Sequence, residues 1–333
     1  MNFLRKSLYP LTLIYDIATR VRNAAYDAQW LKQKQCKVPT IVVGNLITGG
    51  SGKTPMIAYL LDNFSNHFSL AVLSRGYKRK SSGFLLANQD SSIKSLGDET
   101  YLLSQKFPMT HFGVCENRLK GVEQLLSKFP TIDGVLLDDG YQHRQLKPSF
   151  QILLTPYHNP WFRDCVLPTG NLRESAKGKN RADVVVVTKC PSNLSKIEKD
   201  EHTHQLKLDA HQDIFFSTIV YDSYVFGASR IELKSFVKNP FVLVTGIADA
   251  KPLTDYLESL GADFEHLAFA DHHFFTASDF KKMLSKQRAI LTTEKDYVRL
   301  SPMIKMVFFI PISICFLSDE DRFKSIIANQ FGD

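Results

Sequence analysis

The stretch that decides the fold is Thr40-Ile41-Val42-Val43-Gly44-Asn45-Leu46-Ile47-Thr48-Gly49-Gly50-Ser51-Gly52-Lys53-Thr54-Pro55-Met56-Ile57-Ala58-Tyr59-Leu60. Thr40 to Val43 is a short β-branched run, as a parallel strand buried on both faces requires. Gly49, Gly50 and Gly52 let the backbone turn tightly and point successive N–H groups inward. Lys53 and Thr54 follow at Walker A spacing. A lysine there reaches the terminal phosphates of a nucleotide, and the threonine hydroxyl holds its magnesium ion. Pro55 suits the first turn of a helix, where its missing N–H costs nothing. Ile57, Leu60, Leu61 and Phe64 give that helix an apolar stripe, and its N-terminus points at the phosphates. One position departs from G-x-x-x-x-G-K-[ST]: Ile47 stands where the first glycine is expected. Gly49, Gly50, Ser51, Gly52, Lys53 and Thr54 therefore make a deviant loop. The plain alternative is a glycine-rich turn without a ligand, and the flanking strand and amphipathic helix argue for nucleotide binding.

The chain's 333 residues are enough for two domains with their own cores. A net charge of +7 suits a phosphorylated substrate or an anionic membrane surface. No basic-aromatic module or long Lys/Arg run points to nucleic acid, and Lys78-Arg79-Lys80 reads as a solvated loop. The five cysteines are scattered, with no C-x-x-C pair. That pattern implies reduced cytoplasmic thiols, with neither a disulfide framework nor a zinc site. Ser7 to Tyr15 is uncharged but far short of the ~20 residues that cross a bilayer, and no small-residue cleavage site follows it.

Working outward, residues 1–33 read as an amphipathic helix. Leu4, Leu8, Leu11, Tyr15 and Ala18 recur at helical spacing, with Arg5, Lys6, Arg20 and Arg22 around them and Phe3, Tyr9, Tyr26 and Trp30 nearby. Two readings stand: a helix lying in a membrane interface, or one packed on its own domain. A second strand, Leu70 to Ser74, ends in Ser74-Arg75-Gly76-Tyr77, at the sheet edge where open α/β folds bind ligands. Asp98 stands at the start of a helix, where an N-cap would account for it. Gly134 to Asp138, followed by Asp139, is an apolar strand ending in carboxylates, the Walker B pattern that holds magnesium. Arg173 and Glu174 adjoin in a loop. The arginine can stabilise a transferring phosphoryl group and the carboxylate can reach the metal, the bland reading being a surface ion pair. Asp183 to Lys189 is a central strand. Pro191 occupies the place of the aspartate that reads guanine, so GTP is not implied. A second α/β unit begins near Phe241 and runs to a last helix at Asp319 to Asn329. Asp271-His272-His273 precedes a helix and lacks a third metal ligand at plausible spacing.

Taken in order, these motifs resemble one family, the tetraacyldisaccharide 4'-kinases of lipid A synthesis in Gram-negative bacteria. The resemblance rests on Val43 to Leu46 running into Gly49 to Pro55, on Leu73-Ser74-Arg75-Gly76-Tyr77, Gly97-Asp98-Glu99 and Asp138 to His143, and on Pro168 to Glu174, Asp271-His272-His273 and Thr293-Glu294-Lys295-Asp296. It implies two α/β/α sandwich domains joined by a β-strand linker, the first P-loop NTPase-like. The expected boundaries are 1–33 for the membrane-interface helix, 34–210 for the ATP-binding domain, 211–235 for the linker and 236–333 for a smaller α/β domain closing over the site. It further implies transfer of the ATP γ-phosphate to the 4'-hydroxyl of a lipid A disaccharide 1-phosphate, at the cytoplasmic face of the inner membrane and with no obligate protein partner. Asp98 becomes the general base, assisted by His272, with His273 the other choice from that motif. Lys53, Arg118 and Arg173 steady phosphate charge, and His143 positions phosphates or substrate. Thr54, Asp138, Asp139 and Glu174 are the Mg2+-side candidates. Two other readings compete: a deviant P-loop ATPase switch acting on a protein partner, and a P-loop ligase. Neither needs both the paired Asp98 and His272 and an interfacial helix.

Overall fold

The computed structural model describes Arg5 and residues 7–332 of the chain. Phe3, Leu4 and Lys6, expected on the first helix, lie outside the described residues. The chain divides into two compact units, one built from Met1–Ile219 with Ile314–Asp333 and the other from Val220–Ser313.

In the first unit the elements run α1 (Tyr9–Asp27), β1 (Thr40–Asn45), α2 (Lys53–Phe64), β2 (Leu70–Ser74), β3 (Leu85–Leu86), α3 (Ile93–Leu96), α4 (Asp98–Lys106), β4 (His111–Val114), α5 (Arg118–Lys128), β5 (Gly134–Asp138), β6 (Phe150–Pro156), β7 (Val184–Thr188), α6 (Lys196–Leu206) and β8 (Asp213–Tyr221). Among the described residues they form a sheet in the order β15-β8-β7-β6-β1-β5-β2-β4-β3, where β15 is Ile312–Phe316 near the C-terminus. Strand β1 is buried along its whole length. Ile41 and Val43 enter the core on one face with Met56, Ile57 and Leu60, while Val42 enters the other with Leu137, Leu153 and Val185. Both faces are covered, so the strand carries apolar residues without alternation. Parallel register sets Val43 beside Asp138 and Pro156 beside Thr188. The carboxyl ends of β1, β2, β5 and β7 therefore share one edge, where ligands bind in open α/β sheets.

The second unit contains β9 (Tyr224–Gly227), β10 (Arg230–Glu232), α7 (Leu233–Phe236), β11 (Phe241–Thr245), α8 (Lys251–Ser259), β12 (Phe264–Ala268), α9 (Ala277–Leu284), β13 (Ile290–Thr293), α10 (Glu294–Leu300) and β14 (Val307–Ile310). Its sheet order among the described residues is β10-β9-β14-β13-β11-β12, parallel except where β9 meets β14 and β10.

The boundaries differ from the expected ones in two respects. The stretch 211–235 is not a separate linker: β8 pairs in parallel with β7 of the first sheet, while β9 and β10 belong to the second. Residues 314–333, expected in the second domain, belong to the first unit. The reason is an aromatic seam. Phe316 and Phe323 of β15 and α11 (Glu320–Ala328) pack against Tyr59 and Phe215, with ring centroids 5.2 Å apart for Tyr59–Phe316 and for Phe215–Phe323. Phe323 is fully buried. Phe323→Ala is expected to cost about 3–5 kcal/mol, read as a lower urea midpoint for the first unit. A midpoint within error of wild type would mean that the C-terminal segment does not hold this core together.

Candidate active site

The loop after β1 is shaped by its own side chains. Asn45 Nδ2 donates to Ser51 Oγ at 2.8 Å, and Thr188 Oγ1 donates to the Ser51 carbonyl at 2.8 Å. Gly52, the residue before α2, has φ 90°, a left-handed conformation that favours glycine. Ile47 has a packing role that explains the missing glycine. It is 3% exposed, bridges to Leu172 and sits in the core with Leu46, Val166 and Trp161. The neighbouring loop is stitched on by Thr48 N–H to the Asn171 carbonyl and Arg173 N–H to the Leu46 carbonyl, at 2.8 and 2.7 Å.

Lys53, Asp139 and Arg173 meet at this loop. Arg173 donates through Nη1 to both Asp139 oxygens at 2.9 Å, and Lys53 Nζ lies 3.5 Å from Asp139 Oδ1. Burial pushes the Asp139 carboxyl up, but Lys53 and Arg173, with Arg118 behind them, outweigh it and hold it below the usual carboxylate range. Asp139 has φ 53°, a strained value for a non-glycine residue that turns its carboxylate between the two cations. Asp138 is the opposite case. It is 3% exposed and accepts from Ser74 Oγ at 3.1 Å, while its Oδ1 has no hydrogen-bond partner among the described residues. Burial, with Glu99 and Asp139 nearby, raises its carboxyl to about 7. A buried oxygen without a donor and a carboxyl pushed up by neighbouring negative charge fit a cation there. Thr54 stands in the first turn of α2. Asp138 is therefore a residue that could hold a cation.

Glu174, read from the sequence as metal-side, has other partners. It is fully buried and accepts two bonds from Arg181, at 2.8 and 3.0 Å. Gln142 Nε2 adds a third at 3.1 Å and Asn23 Nδ2 a fourth at 2.6 Å. Four donors saturate the carboxylate, which clasps α1 and the 167–174 loop together.

Asp98 is 4% exposed at the first position of α4, and Gly97 rather than Asp98 is the cap residue. Gly97 has φ 82°, and a Cβ there would lie 2.8 Å from the Tyr77 carbonyl, so only glycine lets α4 start this close to the 75–77 turn. Arg118, 2% exposed, donates to the carbonyls of Cys115, Glu116 and Asp139. Beside it a cavity of about 270 Å³ is lined by Glu116, Asn117, Arg118, His143 and Gln145, among others. Burial, then Arg118 and Arg75, push His143 down to about 4, so it is neutral at pH 7. The folded value lies below the ordinary 6.5. The unfolded chain therefore takes up the proton first, and this contribution to stability is lost as pH falls from 6.5 towards 4. Urea unfolding of His143→Gln should weaken less than wild type between pH 7 and pH 5; equal slopes would show that His143 does not titrate this way.

In the second unit the Asp271-His272-His273 motif separates its two imidazoles. His273 Nε2 lies 3.0 Å from Asp279, whose carboxylate completes the capping box of α9 with Thr276, and its ring stacks on Phe269. His272, with φ 59°, has Nε2 3.1 Å from Lys295 Nζ and Nδ1 3.3 Å from Arg299 Nη2. Its N–H donates to the Gly246 carbonyl, and Gly246 N–H donates to the buried Asp296 at 2.8 Å. Asp296 thus supports the turn that carries His272. Sequence reasoning assigned no role to Asp296, Asn45, Thr188 or Arg181. The polar residues ending β1 and β7 were a readable signal for two of them.

The chain is similar to known proteins along nearly its whole length. The family model described as tetraacyldisaccharide-1-P 4'-kinase, LpxK, matches residues 4–332. Tetraacyldisaccharide 4'-kinase of Flavobacterium johnsoniae is 46% identical over 341 residues, covering 100% of this chain and 99% of that protein. The protein of the same name from Bacteroides thetaiotaomicron is 40% identical, covering 97% of this chain and 92% of its own length. A crystal structure of LpxK from Aquifex aeolicus in complex with ATP has a TM-score of 0.80 and 30% identity, covering 99% of this chain and 100% of that one. The likeness spans nearly the whole chain, and the chain belongs to the tetraacyldisaccharide-1-P 4'-kinase family, with its P-loop kinase fold.

Proposed function

We propose that this chain transfers the γ-phosphate of ATP to the 4'-hydroxyl of a lipid A disaccharide 1-phosphate. The observation that carries the reading is the meeting of Lys53, Asp139 and Arg173 at the deviant loop, beside a buried Asp138 with an unpartnered oxygen. Backbone N–H groups of Gly49 to Gly52 and the Lys53 ammonium hold the nucleotide phosphates. Thr54 and Asp138 would hold magnesium, which when bound neutralises phosphate charge. Asp139 keeps Lys53 and Arg173 aimed at the same place, so the cations are in position before charge develops. Asp98 accepts the proton of the sugar hydroxyl as its oxygen bonds to phosphorus and the bond to the departing ADP oxygen breaks. His272 is the assisting imidazole in this reading, His273 being tied to Asp279. Arg118 steadies phosphate charge, and His143 positions phosphates or substrate as a neutral hydrogen-bonding group.

The membrane reading is supported by α1. Its outward residues include an apolar set, with Ile14, Ile17 and Val21 65%, 60% and 63% exposed beside the exposed Arg20 and Arg22, while hydroxyls point inward at Thr12 and Thr19, 5% and 9% exposed. Among the described residues no helix is long and apolar enough to cross a membrane. An apolar face turned away from the protein suits a helix lying in an interface. In this reading the acylated acceptor is drawn from that surface, the cytoplasmic face of the inner membrane, where ATP is at hand.

The test is incubation with γ-labelled ATP, magnesium and lipid A disaccharide 1-phosphate in mixed micelles. Label on the lipid is the expected result. Label released only as free phosphate, at a rate indifferent to lipid, overturns it in favour of a switch ATPase. Replacing Ile14, Ile17 and Val21 with serine should lower partitioning onto anionic vesicles by about tenfold or more. Undiminished partitioning would leave α1 without a membrane role.

A further inference from the structure

Helix α1 does more inside the protein than an anchor requires. Its inward face is polar, and its bonds converge on one loop. Thr12 Oγ1 accepts from Thr169 N–H at 3.1 Å and lies 2.6 Å from Thr169 Oγ1, a pair buried at both ends. Tyr15 donates its hydroxyl to the Arg173 carbonyl at 3.0 Å. Asn23 donates to the fully buried Glu174 at 2.6 Å, and the Asn23 carbonyl accepts from Arg144 at 2.8 Å. From the other side the same loop is bound to the phosphate loop through Thr48 and Leu46. The backbone around Arg173 is therefore held at Asn171 by Thr48 and at Arg173 itself by Leu46 and Tyr15, and the side chain of the next residue, Glu174, is held by Asn23. Only its side-chain torsions remain to bring the guanidinium onto Asp139.

We infer that the inward face of α1 is a positioning element of the phosphate site, with Thr12 and Asn23 as positioning residues for Arg173. A guanidinium stabilises a transferring phosphoryl group only when it is aimed in advance. A displacement of about 1 Å, far smaller than an unfolding event, can cost about a hundredfold in rate. The buried Glu174 enforces the placement, since losing the Asn23 donor leaves part of a desolvated carboxylate unpaired and gives the loop a reason to shift. The two faces of α1 then hold separable functions, apolar contacts outward and catalytic alignment inward. The proposal rests on the phosphotransfer reading of the site but not on the membrane reading.

The experiment uses the full chain with Thr12→Val, Thr12→Ser, Asn23→Leu and Tyr15→Phe, each also in an Arg173→Ala background. Turnover is followed with γ-labelled ATP in mixed micelles, counting label in lipid and in free phosphate, so the rate is read whichever acceptor takes it. The wild-type product distribution tests the acceptor assignment separately. Thr12→Val and Asn23→Leu are each expected to lower kcat by about tenfold with KM for ATP within about twofold. Thr12→Ser should restore the rate, vesicle binding should be unchanged, and the losses should vanish when Arg173 is already alanine, as for residues acting through it. Tyr15→Phe, which removes one hydroxyl from a partly exposed side chain, should lower kcat by a smaller factor, and it serves if the buried variants fold poorly. Wild-type kcat in Thr12→Val, Asn23→Leu and Tyr15→Phe would overturn the inference. So would losses that persist in full without Arg173, or that follow vesicle binding.

Discussion

Lys53→Ala should lower kcat for phosphate transfer by about 10³-fold, measured with γ-labelled ATP at saturating nucleotide. The size follows from position. Lys53 opens α2 directly after the left-handed Gly52, and its ammonium lies 3.5 Å from an oxygen of Asp139. It therefore stands in a site already dense with charge, where removing it both deletes a counter-charge to phosphate and leaves Asp139 held by Arg173 alone among its two close cations. Binding should suffer less than turnover, because the loop's N–H groups remain. A variant that turns over at the wild-type rate would show that the loop does not hold the reacting phosphates.

The second large effect is expected from Asp98→Asn. The two side chains have the same shape, so the bond between the Asp98 side chain and Glu99 N–H, 3.0 Å in the native protein, and the start of α4 should survive. The amide cannot take a proton. The loss should fall on kcat, by about 10²–10⁴-fold, with the Kd for ATP within about threefold of wild type by calorimetry. Unchanged kcat would remove Asp98 from the reaction. A weakened Kd with unchanged kcat would make it a nucleotide-binding group.

Much of the first unit was legible because its signals are local. The β-branched run of β1, the glycines after it and the acidic end of β5 each lie within a few consecutive residues. The backbone rules that shape them act over the same distance. What escaped was set by contacts distant in sequence. Ile47 looked like a defect in a motif and is a core residue, because its partner Leu172 comes from another loop. Glu174 carries a carboxylate in the right neighbourhood for a metal, yet its environment is decided by Arg181, Gln142 and Asn23. His272 and His273 stand side by side in sequence, and the contact that sets them apart, His273 to Asp279, is decided by the fold. The return of the C-terminus to the first sheet was hidden by Pro311, which joins β14 to β15 in one apolar run. Within that run Ile314 and Phe316 are buried and Ser313 and Cys315 exposed, an alternation that marks a second strand.

That return has a consequence for synthesis on the ribosome. The strand and helix that complete the first sheet, with Phe316 and Phe323 against Tyr59 and Phe215, are made only after the whole of Val220–Ser313. Domains generally fold as units in the order they emerge, but here Val220–Ser313 is entire while the unit begun before it still lacks an edge. The smaller unit can finish folding during translation. The nucleotide-binding unit must wait for Ile314–Asp333 to emerge, carrying an open aromatic seam until then. Loss of a few C-terminal residues would therefore fall on the part of the protein that was started first.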